Sequence, residues 1–281
     1  MLHTGLRGGT MRKNIAVIAI IICLLIGINT DTLTCYAISY SNHPQYPYVN
    51  LLSQDQLTTY NQIYQNILNY NQELFTLEEP LSESSLEDTM NAIYNDHPEL
   101  FWVNTSYQYA IDSAGIVRRV KLRYCIDPTD YTFAQVNYNS TLSSLVEEAR
   151  TYPTKLEQER FLHDSICQMN TYNSDNSLNQ SSYSALTCGS SVCAGYARAF
   201  QVACHELGIT CYYVTGTSMG SSHAWNIVEI DGHFYNVDLT WDDAISEATG
   251  IISYAYFNKS DASFNLDHSR SSLSAQLIAC N

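Results

Sequence analysis

Three residues in the second half of the chain have the types and order that covalent acyl transfer requires. Cys193 begins a segment whose apolar residues recur at helical spacing, and a thiol at a helix N-terminus is favoured as the nucleophilic thiolate. His223 can take the thiol proton, and Asp238 can orient that histidine and stabilise its charged form. Each residue alone is more often structural, so the hypothesis depends on the three being brought together.

The elements that must position these residues are a helix and a predicted set of strands. Gly189, Ser190 and Ser191 are typical of a turn before the helix, and Gly208 is typical of its end. Small residues after the cysteine, Ala194 and Gly195, are interpreted as leaving room for a substrate carbonyl. The predicted order is a strand at 209–216, a flexible lid loop at 217–222, a strand beginning at His223, and a strand from His233 through Trp241.

The hairpin register gives His223 and Asp238 a reason to share a face. Asp231-Gly232 is a strong signal for a two-residue turn, which pairs Ile230 with His233. His223 and Asp238 then become diagonal neighbours, about 7–8 Å apart at the backbone, within reach of a histidine–carboxylate contact. A slip of one residue would place them on opposite faces.

These segments resemble the transglutaminase-like superfamily, a branch of the papain-like cysteine fold. The similarity covers roughly residues 155–270, and its most specific motifs are Ser-Val-Cys-Ala-Gly-Tyr-Ala-Arg-Ala-Phe at 191–200, His-Ala-Trp-Asn at 223–226 and Asp-Leu-Thr-Trp-Asp at 238–242. The resemblance implies that Cys193, His223 and Asp238 are the catalytic residues. It implies an α+β fold with the nucleophile helix packed on an antiparallel sheet. Relatives include cross-linkers, peptidases, amidases and non-catalytic members, so the resemblance leaves the reaction open.

Three regions are expected along the chain. Residues 1–37 are predicted as a signal peptide or membrane anchor, because a basic start precedes an apolar stretch of about 14 residues, shorter than the roughly 20 that span a bilayer. Residues 38–127 are predicted as a smaller α+β region, and residues 128–281 as the transglutaminase-like catalytic domain. Capping boxes at Ser53–Gln56 and Thr154–Glu157 predict two helix starts.

The charge and the leader suggest where the protein acts. The formal net charge is −15, which disfavours binding to nucleic acid or anionic membranes. We expect a secreted or cell-surface protein whose partner is an extracellular protein or peptide substrate. No nucleic acid is expected, and membrane contact is expected only through an uncleaved N-terminal anchor.

Seven cysteines follow residue 37, and an odd number in an exported chain indicates at least one free thiol. The other six form up to three disulfides or are buried reduced thiols, and the sequence leaves both open. No cofactor or metal is predicted. Acidic and histidine neighbours that could suggest a metal are interpreted as exposed polar pairs: His163-Asp164, His205-Glu206 and Asp242-Asp243.

Two aromatic residues are candidate substrate-binding residues. Trp225 is predicted on the same face as His223, and Tyr172 is a candidate to approach the nucleophile; ordinary packing is the alternative for each. His268 is interpreted as structural. The sequence therefore predicts an exported cysteine-dependent acyl-transfer enzyme acting on protein or peptide amides, as a cysteine peptidase or a protein-glutamine transglutaminase. The alternative is a non-catalytic transglutaminase-like binding module at the cell surface.

Overall fold

The computed structural model describes residues 43–281, which belong to one compact unit of mixed helix and sheet. The predictions for residues 1–37 lie outside the described residues. The helices are α1 (Gln54–Leu68), α2 (Glu83–Asp96), α3 (Pro128–Ala149), α4 (Lys155–Met169), α5 (Cys193–Glu206), α6 (Leu239–Thr249) and α7 (Asp261–Phe264). Within residues 43–281, no helix is both long and apolar enough to cross a bilayer.

Within residues 43–281, the strands form three sheets. The strands are β1 (Phe75–Leu81), β2 (Gln108–Ile111), β3 (Val117–Lys121), β4 (Thr171–Tyr172), β5 (Ser190–Ser191), β6 (Cys211–Ser218), β7 (Ser221–Ile230), β8 (His233–Val237) and β9 (His268–Arg270). One antiparallel sheet has the order β1-β3-β2, and the four-stranded antiparallel sheet has the order β8-β7-β6-β9. The short strands β4 and β5 pair in parallel. The α+β class predicted from the sequence is confirmed.

Local sequence determines where several helices begin. Both predicted capping boxes are present, since Ser53 and Thr154 each accept a hydrogen bond from the backbone three residues later, and that residue's side chain bonds back. Helix α2 ends at Asp96, immediately before His97-Pro98, because proline disfavours helical backbone in the residue before it. These helix ends are the ones that the sequence predicts.

The two predicted regions on either side of residue 127 pack together. The Tyr48 hydroxyl is buried and donates to the Tyr213 carbonyl at 2.7 Å. On α5, Arg198 donates to the Tyr94 carbonyl near the end of α2, and the Gln201 amide donates to the Asn95 carbonyl at 2.8 Å. The domain boundary at 127/128 stays a prediction.

Two predicted features of the large sheet are wrong. Residues 217–222 are not a lid loop, because β6 continues to Ser218 and β7 begins at Ser221. Only Met219 and Gly220 connect them, with positive φ values of 50° and 80°, as a tight hairpin turn requires. The third strand ends at Val237 instead of Trp241, and α6 follows at once.

Candidate functional site

Cys193 is the first residue of α5, and its thiol is partly exposed. The N-cap residue, Val192, has no side-chain group to bond the first helical N–H groups, so no capping side chain offsets the positive end of the helix near the thiol. The chain before the helix is anchored to Asn179, whose carbonyl accepts from the Ser191 hydroxyl at 2.6 Å and from the Val192 N–H at 3.1 Å.

Gly195 allows the start of α5 to lie close against the loop that contains Asn179 and Ser181. A Cβ at this position would lie 1.9 Å from Ser191 Oγ, 2.7 Å from the Asn179 carbonyl oxygen and 2.9 Å from the Ser181 carbonyl oxygen. From the sequence alone, the small side chains are predicted to make room for a substrate carbonyl. The structure instead uses Gly195 for close approach of α5 to the preceding loop, and Ala194 packs against Tyr213 and Ala224.

The structure brings His223 and Asp238 into direct contact, with His223 Nε2 2.7 Å from Asp238 Oδ2. The predicted pairing of Ile230 with His233 is present and extends to Asn226 with Val237. Strand β8 ends at Val237, one residue before Asp238. The contact between His223 and Asp238 is therefore not one between diagonal neighbours of two paired strands.

Asp238 instead caps helix α6. Its Oδ1 accepts the backbone N–H groups of Thr240 at 3.0 Å and Trp241 at 3.2 Å. Aspartate is a favoured N-cap because its short carboxylate reaches these otherwise unpaired donors. One oxygen therefore satisfies the helix, and the other faces the histidine.

His268 is a further residue of this site, which the sequence predicts only as structural. His268 is buried, and its Nε2 lies 3.0 Å from the same Asp238 Oδ2 that His223 contacts. Its Nδ1 lies 2.5 Å from Asp267 Oδ1. The adjacent Asp267-His268 pair is a weak sequence signal, because only the pairing of β9 with β6 shows that it reaches Asp238.

The electrostatics of the three predicted residues favour a charged histidine. Burial lowers the pKa of His223, but hydrogen bonds to Asp238 and Cys193, and their negative charges, outweigh burial and raise this pKa to about 10. Burial acts to raise the pKa of Asp238, yet hydrogen bonds and charge from His223 and His268 hold it below its usual value. Asp238 is thus an ionised carboxylate beside His223, and His223 interacts with the Cys193 thiol.

Tyr172 also reaches Cys193. Tyr172 is 52% exposed, and hydrogen bonding to the side chain and backbone of Cys193 contributes to its pKa. Burial raises the pKa of Tyr172, and the negative charge of Cys193 raises it further. Strand β4 positions this residue, since Tyr172 pairs with Ser191, two residues before the nucleophile.

Trp225 is 1% exposed, with its indole N–H donated to Asn236 Oδ1 at 3.2 Å and its ring 6.1 Å from the His223 ring centroid. It packs beside the histidine. Tyr172 therefore has surface for a substrate, whereas Trp225 has almost none. The substrate-binding role of each stays a prediction.

The interpretation of three acidic and histidine residues as exposed is wrong. His163, Asp242 and Asp243 are buried where α4, α5 and α6 pack, so their polar atoms are paired inside the protein. His163 Nε2 lies 3.3 Å from Asp242 Oδ2, and the Tyr196 hydroxyl donates to Asp243 at 2.7 Å. Asp242 also accepts the Ser253 hydroxyl at 2.7 Å, which holds the segment after α6.

Among residues 43–281, one group of three potential metal ligands stands close together: His223, Asp238 and His268, with ligand atoms within 4.8 Å of one another. The hydrogen bonds of Asp238 Oδ2 to His223 at 2.7 Å and to His268 at 3.0 Å already explain why the three residues lie together. All seven described cysteines are free thiols, which matches the buried-thiol alternative for Cys167, Cys204, Cys211 and Cys280.

A helix that begins with a cysteine, packed on an antiparallel sheet that carries a histidine beside a buried carboxylate, defines the papain-like class of cysteine folds. Residues 143–239 match the family model of the transglutaminase-like superfamily. The similarity to this superfamily rests on that segment.

Individual relatives are more distant. The kyphoscoliosis peptidases of Mus musculus and Homo sapiens are each 32% identical over 103 residues, covering 31% of this chain and 16% of the relative. The chain thus matches less than a fifth of their length. A crystal structure described as a TGase is 15% identical with a TM-score of 0.34, covering 57% of this chain and 48% of that chain. A protein from Cytophaga hutchinsonii, provisionally assigned as a cysteine protease, is 15% identical with a TM-score of 0.33, covering 48% and 61%.

Proposed function

We propose that this protein is an exported cysteine-dependent acyl-transfer enzyme that acts on protein or peptide amides. The observation that carries the proposal is the contact of His223 with Asp238 at 2.7 Å, made where the histidine also meets a thiol at a helix N-terminus. Cys193 is the nucleophile, His223 the acid and base, and Asp238 the residue that orients the histidine. The family match supports this class of chemistry.

We infer a proton path that fits this geometry. Because His223 Nε2 faces Asp238, its Nδ1 is the nitrogen left for the Cys193 thiol. The thiolate attacks the substrate carbonyl, and the carbonyl electron pair moves to oxygen. When the C–N bond breaks, the imidazolium gives its proton to the leaving amine, and a thioester remains on Cys193. The incoming water or amine then attacks the thioester carbonyl while His223 takes its proton. The C–S bond breaks, the acyl product leaves, and the proton on His223 is available to the Cys193 thiolate.

Tyr172 is proposed to act at the carbonyl oxygen. Hydrogen bonding to the backbone of Cys193 acts to lower the pKa of Tyr172, and the backbone N–H of a nucleophile can donate to the oxygen of the tetrahedral intermediate. A substrate carbonyl must displace the Tyr172 hydroxyl or share the donor with it. Since Tyr172 is half-exposed, its side chain has room to turn aside.

Water is the acceptor that the site favours. Cross-linking to an amine requires that water be excluded from the thioester. Here the thiol is partly exposed, and the neighbouring Tyr172 is open to solvent. The similarity to proteins named as peptidases also supports water as the acceptor of the acyl group. We therefore expect hydrolysis to exceed amine transfer.

The proposed substrate is an extracellular protein or peptide, because residues 1–37 have the pattern of an export segment. The negative net charge is consistent with this setting and disfavours nucleic-acid partners.

The test uses the full chain with a labelled amine and unfolded casein, with mass spectrometry to detect cleavage and amine incorporation. We expect cleavage that is lost in Cys193→Ala and retained in Cys188→Ala, a matched control on an exposed thiol. In a parallel experiment that needs no substrate, iodoacetamide near pH 6 should label Cys193 faster than the exposed Cys125 and Cys188. Equal labelling, with no turnover, would instead identify a non-catalytic binding module.

A further inference from the structure

A cavity lies between the end of α2 with the segment that follows it, the segment that precedes β5, and helix α5. Its volume is about 160 Å³, and its lining comes from residues 94–105 and 177–181, with Cys125 and Arg198. Cavities of about 150 Å³ can hold a molecule the size of benzene, so this one has room for a small organic group. Neither Cys193 nor its predicted partners line it, so the cavity is distinct from the candidate active site.

The charge of this lining is opposite to that of the protein. The chain has 28 acidic residues against 13 arginines and lysines. The described residues that line the cavity nevertheless include the Arg198 guanidinium and no aspartate or glutamate. His97 also lines the cavity, and its Nδ1 lies 2.7 Å from Glu99 Oε1, so that nearby carboxylate is already paired. The lining is therefore suited to an anion.

Arg198 is a buried cation without an acidic partner. It is 9% exposed. Among residues 43–281, the arginines that pair with a carboxylate are Arg118 and Arg270, and Arg198 is not one of them. A buried charge that lacks a counter-charge is costly, and an anion in the cavity would offset that cost.

The guanidinium of Arg198 has donors left for a ligand. It carries five N–H groups. Nη1 donates to the Tyr94 carbonyl, and the guanidinium carbon lies 4.2 Å from the centroid of the Tyr213 ring, so these neighbours use only part of the set. No nitrogen of Arg198 is both fully buried and without a partner. The donors that Tyr94 and Tyr213 leave free are thus accessible to a group in the cavity that Arg198 lines.

The remaining lining indicates which anion fits. A planar carboxylate accepts two parallel bonds from the guanidinium fork, a match in both shape and charge. Asn104 and Gln180 bring amide groups to the lining, whereas Leu100 and Phe101 bring apolar side chains. An ion that is polar on all sides would leave the apolar wall in contact with charge. A carboxylate with a short apolar group satisfies both kinds of wall.

We propose that this cavity binds a carboxylate that carries a short apolar group, with Arg198 as the residue that pairs with it. The carboxylate belongs to a free organic acid or to the last residue of a peptide, which present the same planar anion. This binding site goes beyond the function proposed above and does not depend on Cys193 being a nucleophile.

The first experiment is an NMR titration of the full chain labelled with 15N. Isobutyrate and N-acetylvaline should each cause saturable shifts of the Arg198 Nε–H and of the backbone N–H groups of residues 177–181. Isobutyramide, which has nearly the same shape and no charge, should bind at least tenfold more weakly. Equal binding of isobutyramide would overturn the proposal. So would the lack of a saturable shift with either carboxylate up to about 50 mM, where a millimolar Kd is already saturated.

Further ligands identify the source of the carboxylate. Tighter binding of N-acetylvaline than of isobutyrate would assign the site to a peptide C-terminus, and the reverse order would assign it to a free acid; each order supports the proposal. Inorganic phosphate at the same ionic strength tests whether the cavity accepts any anion. Phosphate that binds as tightly as isobutyrate would reject a carboxylate site.

The second experiment compares isobutyrate binding among variants. Arg198→Met removes the charge and should weaken binding at least tenfold. The matched control is Arg150→Met, since Arg150 is exposed, lies outside the cavity and also donates to a backbone carbonyl, that of Glu206 at 2.5 Å. The control should bind as the wild type does. An unchanged Kd in Arg198→Met would refute the role of this residue.

Gln180→Glu decides the question if Arg198→Met does not fold. Gln180 is exposed at the cavity lining, so the fold tolerates the change, and the added negative charge should repel the ligand and weaken isobutyrate binding about tenfold. An unchanged Kd in this variant would contradict the proposed site. These measurements need no turnover. A chain that binds isobutyrate and cleaves nothing would refute the enzymatic function and leave the carboxylate site intact.

Discussion

Two substitutions at Asp238 should separate the stability of the fold from the chemistry of the site. The carboxylate is buried and accepts four hydrogen bonds, two from the start of α6 and two from histidines. Asp238→Asn retains an oxygen that caps the helix, because asparagine is as good an N-cap as aspartate. Asp238→Ala removes every acceptor and leaves the donors without partners.

The magnitudes follow from these contacts. Loss of the cap costs about 1 kcal/mol, and each charge-assisted bond to a histidine contributes about 1.5–3 kcal/mol. Asp238→Ala should therefore lower the free energy of unfolding by about 5 kcal/mol, a large share of the stability of a typical domain. Asp238→Asn should cost about 1–2 kcal/mol. If its oxygen caps α6, its amide NH2 faces His223 and reverses the tautomer, so activity should fall on the order of 10⁴-fold.

Urea unfolding and peptide cleavage measured on the same preparations test this pair. The control is Ser82→Ala, which removes the N-cap of α2, where the Ser82 hydroxyl accepts the Ser85 N–H at 3.1 Å. That variant should lose about 1 kcal/mol and keep its activity. Full cleavage activity in Asp238→Asn would refute the role of Asp238 in orienting His223. Wild-type stability in Asp238→Ala would refute its structural role.

Other predictions test the packing and the buried charges. Gly195→Ala should lower the free energy of unfolding by about 3 kcal/mol, because two of its clashes are with backbone carbonyls; a loss below about 1 kcal/mol would contradict the close approach. Burial raises the pKa of Glu159 to about 8, so the folded state holds a proton that the unfolded chain releases near pH 4.5. Urea titrations should show stability falling from pH 5 to 8 by up to about 1.4 kcal/mol per pH unit from this group, and Glu159→Gln should remove this part of the slope. Alkylation in urea without reductant should modify all seven cysteines after residue 37, whereas a disulfide would protect two of them.

The sequence predicted the features that depend on neighbouring residues. The capping boxes at Ser53 and Thr154, the start of α5 at Cys193 and the Asp231-Gly232 hairpin all lie where local rules place them. Each is decided within a few residues, so a single sequence contains the necessary signal. The pairing of Ile230 with His233 belongs to this group.

Features that depend on distant contacts were missed. Strand β1 contains Glu78, Glu79 and Pro80, which disfavour a strand, and only its pairing with β3 accounts for it. The third strand of the hairpin was predicted too long, because alternation of apolar residues continues past Val237. The N-cap preference of Asp238 overrides that pattern. The burial of His163 depends on α6 packing over α4, which periodicity alone does not show.

The identity of residue 238 follows from two requirements that meet at one position. The start of α6 needs a short side chain with an acceptor, a condition that serine, threonine, asparagine and aspartate satisfy and that glutamate, with its longer chain, satisfies poorly. The two histidines need an acceptor that stays ionised in a buried site, which excludes the neutral members of that set. Aspartate alone meets both conditions. The helix cap thus fixes the carboxylate in the orientation that His223 requires, and a substitution that satisfies only the helix leaves the site without its charge.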